Sequence, residues 1–238
     1  MQRAILDRLL SDRAAKRPVA LVTALEGGAQ ALVYSNGEVV GEAFGSTIEQ
    51  AAREALAHDR SGPIEGEGGT AFVHVHNPPM RLVVVGAVHI TQALAEIAAL
   101  AGYGVTVIDP RRAFAQTARF PDITVSTEWP DDVLKKLVPD SRTAIVTLTH
   151  DPKIDDPALE VALKSEAFYI GSLGSTRTHG KRLQRLAGKG FTERELARIH
   201  GPIGLDIGAL SPAEIAVSIM AEITQVRRKT PEARDEAA

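Results

Sequence analysis

Apolar residues recur along this chain with two different periods, and the switching between them outlines its elements. Ile5, Leu6, Leu9 and Leu10 fall on one stripe, which predicts an amphipathic helix over about residues 4–15. "PVALVTAL" (Pro18–Leu25) has the unbroken apolar character of a buried strand. "QALVYSNGEVV" (Gln30–Val40) reads as a hairpin, with Asn36-Gly37 at its middle suiting a tight turn that needs positive φ. "STIEQAAREALAHD" (Ser46–Asp59) is a helix, and Ser46 and Glu49 have the spacing of a capping box at its start. "RSGPIEGEGG" reads as a loop and "TAFVHVHNPP" as one more strand. Asn77-Pro78-Pro79 then breaks the chain, because two prolines continue neither a ladder nor a helix.

From Met80 onward, strand and helix patterns alternate. "RLVVVG", "YGVTVIDPR", "ITVS", "RTAIVTLT" and "AFYIGSLGS" read as strands. "ITQALAEIAALAG", "PDDVLKKLV", "DDPALEVALKS" and "TRTHGKRLQRLAGKG" read as helices, the last with a basic face. That order predicts a parallel sheet with helices on both faces. Thr192 with Glu195, and Ser211 with Glu214, mark the starts of two final helices. The expected fold class is therefore α/β: a Rossmann-like parallel-sheet domain over residues 79–229, preceded by a smaller N-terminal α+β domain over residues 1–78. Residues 230–238 are expected to form a frayed tail.

Composition narrows the function. The chain has 238 residues, 44% of them hydrophobic and 24% charged, which is ordinary for a globular protein. A net charge of −3 argues against a nucleic-acid partner. No apolar run approaches the roughly 20 residues of a membrane span. The N-terminus lacks the continuous apolar core of a signal peptide, so a cytoplasmic location is expected. The absence of cysteine excludes disulfides, thiolate catalysis and cysteine-ligated metals. His74 and His76 would share one face of a strand; they read as a partly exposed strand, and neither a metal site nor a catalytic set is expected.

"VVVGAVHITQA" (Val83–Ala93) has the strand–turn–helix form that opens a dinucleotide-binding fold. Gly86 supplies the first glycine of G-x-G-x-x-G, while Val88 and Thr91 stand at the second and third. Asp109 follows Gly86 by 23 positions, near the spacing of a ribose-binding acid. The fold is thus expected to persist with its phosphate turn obstructed by Val88, and NAD(P) is not the expected ligand.

Ligands of such sheets collect at the carboxyl ends of the strands, which singles out Gly86, His89, Asp109, Arg111, His150 and Asp151. In "GSLGSTR", Gly171, Gly174, Ser175 and Thr176 offer amides and hydroxyls at a helix start, with Arg177 and Arg182 adding charge. Such a group suits a phosphate. The same residues equally describe a capped helix with solvated arginines. Gly204 and Asp206 lie in a Gly-rich loop before a strongly apolar helix, where a ligand or a second protomer would pack.

Over Arg81–Ile223 the chain resembles the XdhC/CoxI family, accessory factors of xanthine dehydrogenase and carbon monoxide dehydrogenase. The stretches that carry the likeness are "VVVGAVHITQALAEIAALAGYGVTVIDPR", "RFPD", "LTHDPKIDDPAL", "YIGSLGSTRTHGKRL" and "IHGPIGLDIGALSPAEIAVSIMAEI". The resemblance implies a chaperone-like protein rather than an enzyme. Its cargo would be the molybdenum cofactor (molybdopterin), helped into a molybdenum hydroxylase client. A cysteine desulfurase is an implied further partner, and a homodimer the implied assembly. The cofactor is a pterin carrying a phosphate, which would suit Gly174–Arg177 or the groove near Gly86 and Asp109. The family's G-S-x-P-R-x-x-G-A stretch gives way here to "LEGGAQALV", and its G-G-C-x-E to Gly45–Glu49, with Ser46 for a glycine and Thr47 for the cysteine. These departures imply a shortened or specialised N-terminal domain. Two further readings stand beside this one: a non-catalytic scaffold of such an enzyme system, and an NAD(P)-dependent oxidoreductase.

Overall fold

The computed structural model describes residues 2–66 and 69–228, so the expected tail, 230–238, lies outside the described residues. The chain divides into two compact units, with the change between Pro78 and Pro79.

In the first unit, α1 (Arg3–Ala14) is followed by β1 (Val19–Ala24), β2 (Gln30–Val33), β3 (Val39–Gly41), α2 (Ser46–His58), β4 (Gly62–Gly66) and β5 (Gly69–His76). The described strands form an antiparallel sheet in the order β3-β2-β1-β5-β4. One face packs Ala20, Val22 and Val73 against Ile48, Ala52 and Leu56 of α2. The other packs Val19, Leu21 and Leu32 against Ile5 and Leu9 of α1.

Three sequence expectations shift in this unit. The stretch read as a loop contains β4, an edge strand that tolerates Pro63 because one side of its ladder is unpaired. The helix expected to be capped by Ser46 instead has Gly45 at its N-cap, at φ 81°, so Ser46 is the first helical residue and the Glu49 N–H bonds to the Gly45 carbonyl. In the hairpin only Gly37 takes positive φ (90°), and Tyr34 pairs with Glu38 around a three-residue loop. His74 and His76 do share a face, with ring centroids 4.2 Å apart, and no third ligand completes a metal-binding group among the described residues.

The second unit runs β6 (Arg81–Val85), α3 (His89–Leu100), β7 (Gly104–Ile108), a short 3-10 turn (Thr117–Arg119), β8 (Thr124–Ser126), α4 (Pro130–Leu137), β9 (Thr143–Thr147), α5 (Pro152–Leu163), β10 (Tyr169–Ser172), α6 (Thr176–Ala187), α7 (Glu193–Leu196), β11 (Ile199–His200) and α8 (Pro212–Arg228). Its described strands are all parallel, in the order β11-β10-β9-β6-β7-β8, as in a Rossmann-type sheet. One face carries α3 and α8, whose Leu94, Ala98, Ile219 and Ile223 pack on Leu82, Val84 and Val146. The other carries α4, α5 and α6, packing Leu134, Leu159 and Leu186 on Val83, Val85 and Ile145. Each of these buried leucine, isoleucine and valine side chains contributes roughly 1.5–3 kcal/mol. The Arg198 guanidinium ties the end of α5 to the approach to β10 by donating to the carbonyls of Leu163, Ser165 and Ala167. Both late capping boxes form, Thr192 with Glu195 and Ser211 with Glu214. No described helix is long and apolar enough to cross a membrane.

Candidate functional site

The strand order reverses between β6 and β9, and the carboxyl ends of these strands define the crevice where ligands of open α/β sheets bind. Gly86 ends β6 at φ 110°, and a Cβ there would lie 2.6 Å from the Thr149 methyl at the end of β9. Only glycine fits this approach.

The first two residues of the turn are held by the protein's own groups. The Gly86 N–H donates to Ile108 O at 2.8 Å, and the Gly86 carbonyl accepts the Thr91 hydroxyl. The Ala87 N–H donates to Asp109 Oδ2 at 2.8 Å, and the Ala87 carbonyl accepts from Arg119 at 2.9 Å. All four backbone groups are thus occupied. Val88, expected to obstruct a phosphate, packs its side chain against the core of the α3–α8 face.

Asp109 sits at the end of β7 as its spacing predicts, but it is fully buried and does not present a ribose acceptor. Its two oxygens take the Ala87 N–H, the Arg111 N–H and the forked Arg111 guanidinium. Burial pushes this carboxyl up, yet these donors outweigh burial and hold it below its ordinary value. Arg111 also stacks over the Phe114 ring and feels the charges of Asp151 and Asp155.

Across the switch point, a cavity of about 480 Å³ opens between the start of α5 and α6. His150, Asp155, Arg177, Thr178, Lys181, Arg182 and Arg185 line it, with Pro152. Two helix starts flank the cavity. Asp151 caps α5 by accepting the Lys153 N–H at 2.9 Å, and Ser175 caps α6 by accepting the Thr178 N–H at 3.2 Å. Among the described residues, the backbone N–H groups of Ser175, Thr176 and Arg177 have no protein acceptor.

The cations around this cavity differ in their engagements. Arg185 is forked onto Asp156, at 2.6 and 2.9 Å. Arg182 is 2% exposed; its Nη2 donates to the Leu173 carbonyl at 2.7 Å, while its Nε has no partner among the described residues. Arg177 and Lys181 are exposed, and neither has an acidic partner among the described residues. Asp155 is buried in the wall and accepts the Thr149 hydroxyl at 2.6 Å. Burial raises its pKa, more than the Thr149 bond and the Arg182 and His150 charges lower it.

The residues singled out from sequence therefore separate. His150, Arg177 and Ser175 gather at the cavity or its rim, and Gly174, at φ 140°, makes the turn into α6. His89 is the exposed first residue of α3. Gly171, expected at the ligand edge, is buried, and a Cβ there would meet the Ile203 side chain at 2.5 Å, so its role is packing. Gly204, at φ 94°, packs on Ser218 of α8, and Asp206 is exposed beyond it.

Two groups were missed. Asp155 and Lys181 were legible only as helix surface, although Arg177, Lys181 and Arg185 repeat every four residues along one face of α6. The second is centred on Glu222 of α8. Its Oε2 accepts the Tyr169 hydroxyl at 2.5 Å and the Gly204 N–H at 2.8 Å, and its Oε1 pairs with His200 Nδ1 at 3.0 Å.

A six-stranded parallel sheet wound in this order, with a glycine turn at the switch point, makes the second unit a Rossmann-type domain. The chain belongs to the XdhC family: residues 82–223 match its Rossmann domain. It is 32% identical over 226 residues to YqeB of Escherichia coli, covering 85% of this chain and 41% of that protein. It is 33% identical over 152 residues to the molybdenum cofactor insertion chaperone PaoD of Escherichia coli, covering 63% of this chain and 41% of PaoD. A protein of Bacillus subtilis described as a probable xanthine dehydrogenase subunit is 35% identical over 159 residues, 66% of this chain and 46% of that protein. The chain thus spans less than half the length of these relatives. A crystal structure described as a xanthine dehydrogenase from Bacillus halodurans superposes with a TM-score of 0.75 at 25% identity, over 99% of this chain and 70% of that one.

Proposed function

We propose that this protein binds the molybdenum cofactor and helps insert it into a molybdenum hydroxylase of the xanthine or carbon monoxide dehydrogenase type. The observation that carries this reading is membership of the XdhC family together with the likeness to a molybdenum cofactor insertion chaperone. The geometry supports it from the other side. Asp109 and the Ala87 N–H at the glycine turn are engaged with each other, whereas the start of α6 offers free amides beside Arg177 and a cationic cavity. Gly174, Ser175 and Arg177 would hold the phosphate of the pterin. His150 lines the same cavity and Asp151 caps α5 beside it, while Arg111, after β7, stands across the switch point toward the rest of the molecule. The work is carriage, with no bond made or broken by the protein. A homodimer, a cysteine desulfurase partner and a cytoplasmic location belong to the same reading.

Anaerobic titration with molybdenum cofactor, read by pterin fluorescence after oxidation, tests it. Saturable binding is expected, weakened by Arg177→Ala and Ser175→Ala. Absence of binding, with a stable client complex still formed, would favour a scaffold. An NAD(P)-dependent oxidoreductase is disfavoured by the internal use of Gly86, Ala87 and Asp109.

A further inference from the structure

The cavity between α5 and α6 has a wall of mixed sign. Four cationic side chains, Arg177, Lys181, Arg182 and Arg185, share it with the buried carboxyl of Asp155. Two helix starts add the positive ends of their dipoles. Arg182 is 2% exposed, with an Nε donor that no described group accepts. A buried charged donor left without an acceptor is costly, and an incoming anion oxygen would satisfy it.

A wholly cationic wall would take any small oxyanion. Asp155 changes that, because as a carboxylate it repels an anion that brings no hydrogen, and to receive such an anion it must first take a proton from solvent. Inorganic phosphate carries a hydrogen at neutral pH, and a phosphomonoester, whose second pKa is about 6, can retain one at a cost of roughly tenfold in binding, so either can share a hydrogen with a carboxylate. Sulfate and molybdate are anions of stronger acids and bring none. The remaining charges acting on Asp155 come from Arg182 and Arg185 on α6, Arg111 after β7, and His150 in the turn before α5.

We infer that this cavity is a phosphate site that selects by a proton: it takes the terminal phosphate of a phosphomonoester with one hydrogen shared with Asp155, and rejects sulfate and molybdate. This deepens the reading of a phosphate-bearing cargo, rests on it, and fixes which end of that cargo enters: the phosphate, not an oxo-metal group.

Titration calorimetry of the full chain with inorganic phosphate, sulfate and molybdate tests it. Phosphate should bind at least roughly tenfold more tightly than either competitor. Asp155→Asn supplies an N–H donor in place of the acceptor, so it should bring sulfate to within about twofold of phosphate. Lys181→Ala, at an exposed position, should weaken phosphate by roughly threefold without threatening the fold, and Arg182→Lys should weaken it further. Equal binding of sulfate and phosphate, an unchanged ratio in Asp155→Asn, or no phosphate binding at millimolar concentration overturns the inference. If molybdenum cofactor still binds in that case, the carrier reading survives alone. If phosphate behaves as expected but the cofactor does not bind, the carrier reading fails and the phosphate site stands.

Discussion

Arg111 and Asp109 close a two-pronged ion pair across the single residue Pro110, with Nε to Oδ1 at 2.9 Å and Nη2 to Oδ2 at 2.8 Å. The acid that a dinucleotide fold reserves for ribose is thereby turned inward, and it also anchors the glycine turn through the Ala87 N–H.

Asp109→Asn should therefore destabilise the second unit by about 2–3 kcal/mol at neutral pH, less than a wholly buried pair because Arg111 is partly exposed. Its folded pKa lies below its unfolded value, so the stabilisation is full above the unfolded value and is lost as pH falls through the folded one. Denaturant melts in the acid range should show this slope in the wild type and a shallower one in Asp109→Asn.

Restoring the second glycine of the motif should not restore its ligand. Val88→Gly leaves the Ala87 N–H on Asp109 and Asp109 under Arg111, so no saturable NAD binding is expected by calorimetry. Tight binding by that variant would mean the inner fork opens readily.

Tyr169→Phe removes one of the donors to Glu222 and should cost about 1–1.5 kcal/mol. Burial pushes the Glu222 carboxyl up, but the His200, Tyr169 and Gly204 donors hold it lower than usual. Without the tyrosine hydroxyl that hold weakens. The acid-unfolding midpoint, followed by far-ultraviolet circular dichroism, should move to higher pH.

Gly204→Ala places a Cβ against the Ser218 hydroxyl at a backbone φ of 94°. Strain and overlap together should cost about 2–4 kcal/mol, visible as a fall in the midpoint of thermal unfolding. A neutral outcome would mean that the loop before α8 relaxes freely.

The parallel sheet was readable because its strands are continuous apolar runs and its helices have apolar stripes of fixed period. β4 escaped because Gly62, Pro63 and Gly66 carry turn chemistry that an edge position tolerates. β11 escaped because two residues carry no period. At the site, Gly86, Asp109 and Ser175 were found by spacing and by their place after strands. Their partners were not. That Arg111 would close on Asp109, and that Arg182 would be buried while Arg177 and Lys181 on α6 stay exposed, depends on how elements distant in sequence pack.

The contact between Arg182 and the Leu173 carbonyl reaches beyond the two groups it joins. That carbonyl belongs to the same planar amide as the Gly174 N–H. A cation drawing electron density from the oxygen makes the hydrogen at the other end more acidic. The guanidinium thus acts at the mouth of α6 through a conjugated linkage as well as across space. The amide resonance of Gly174 should register its replacement by lysine, even in protein that has never met a ligand.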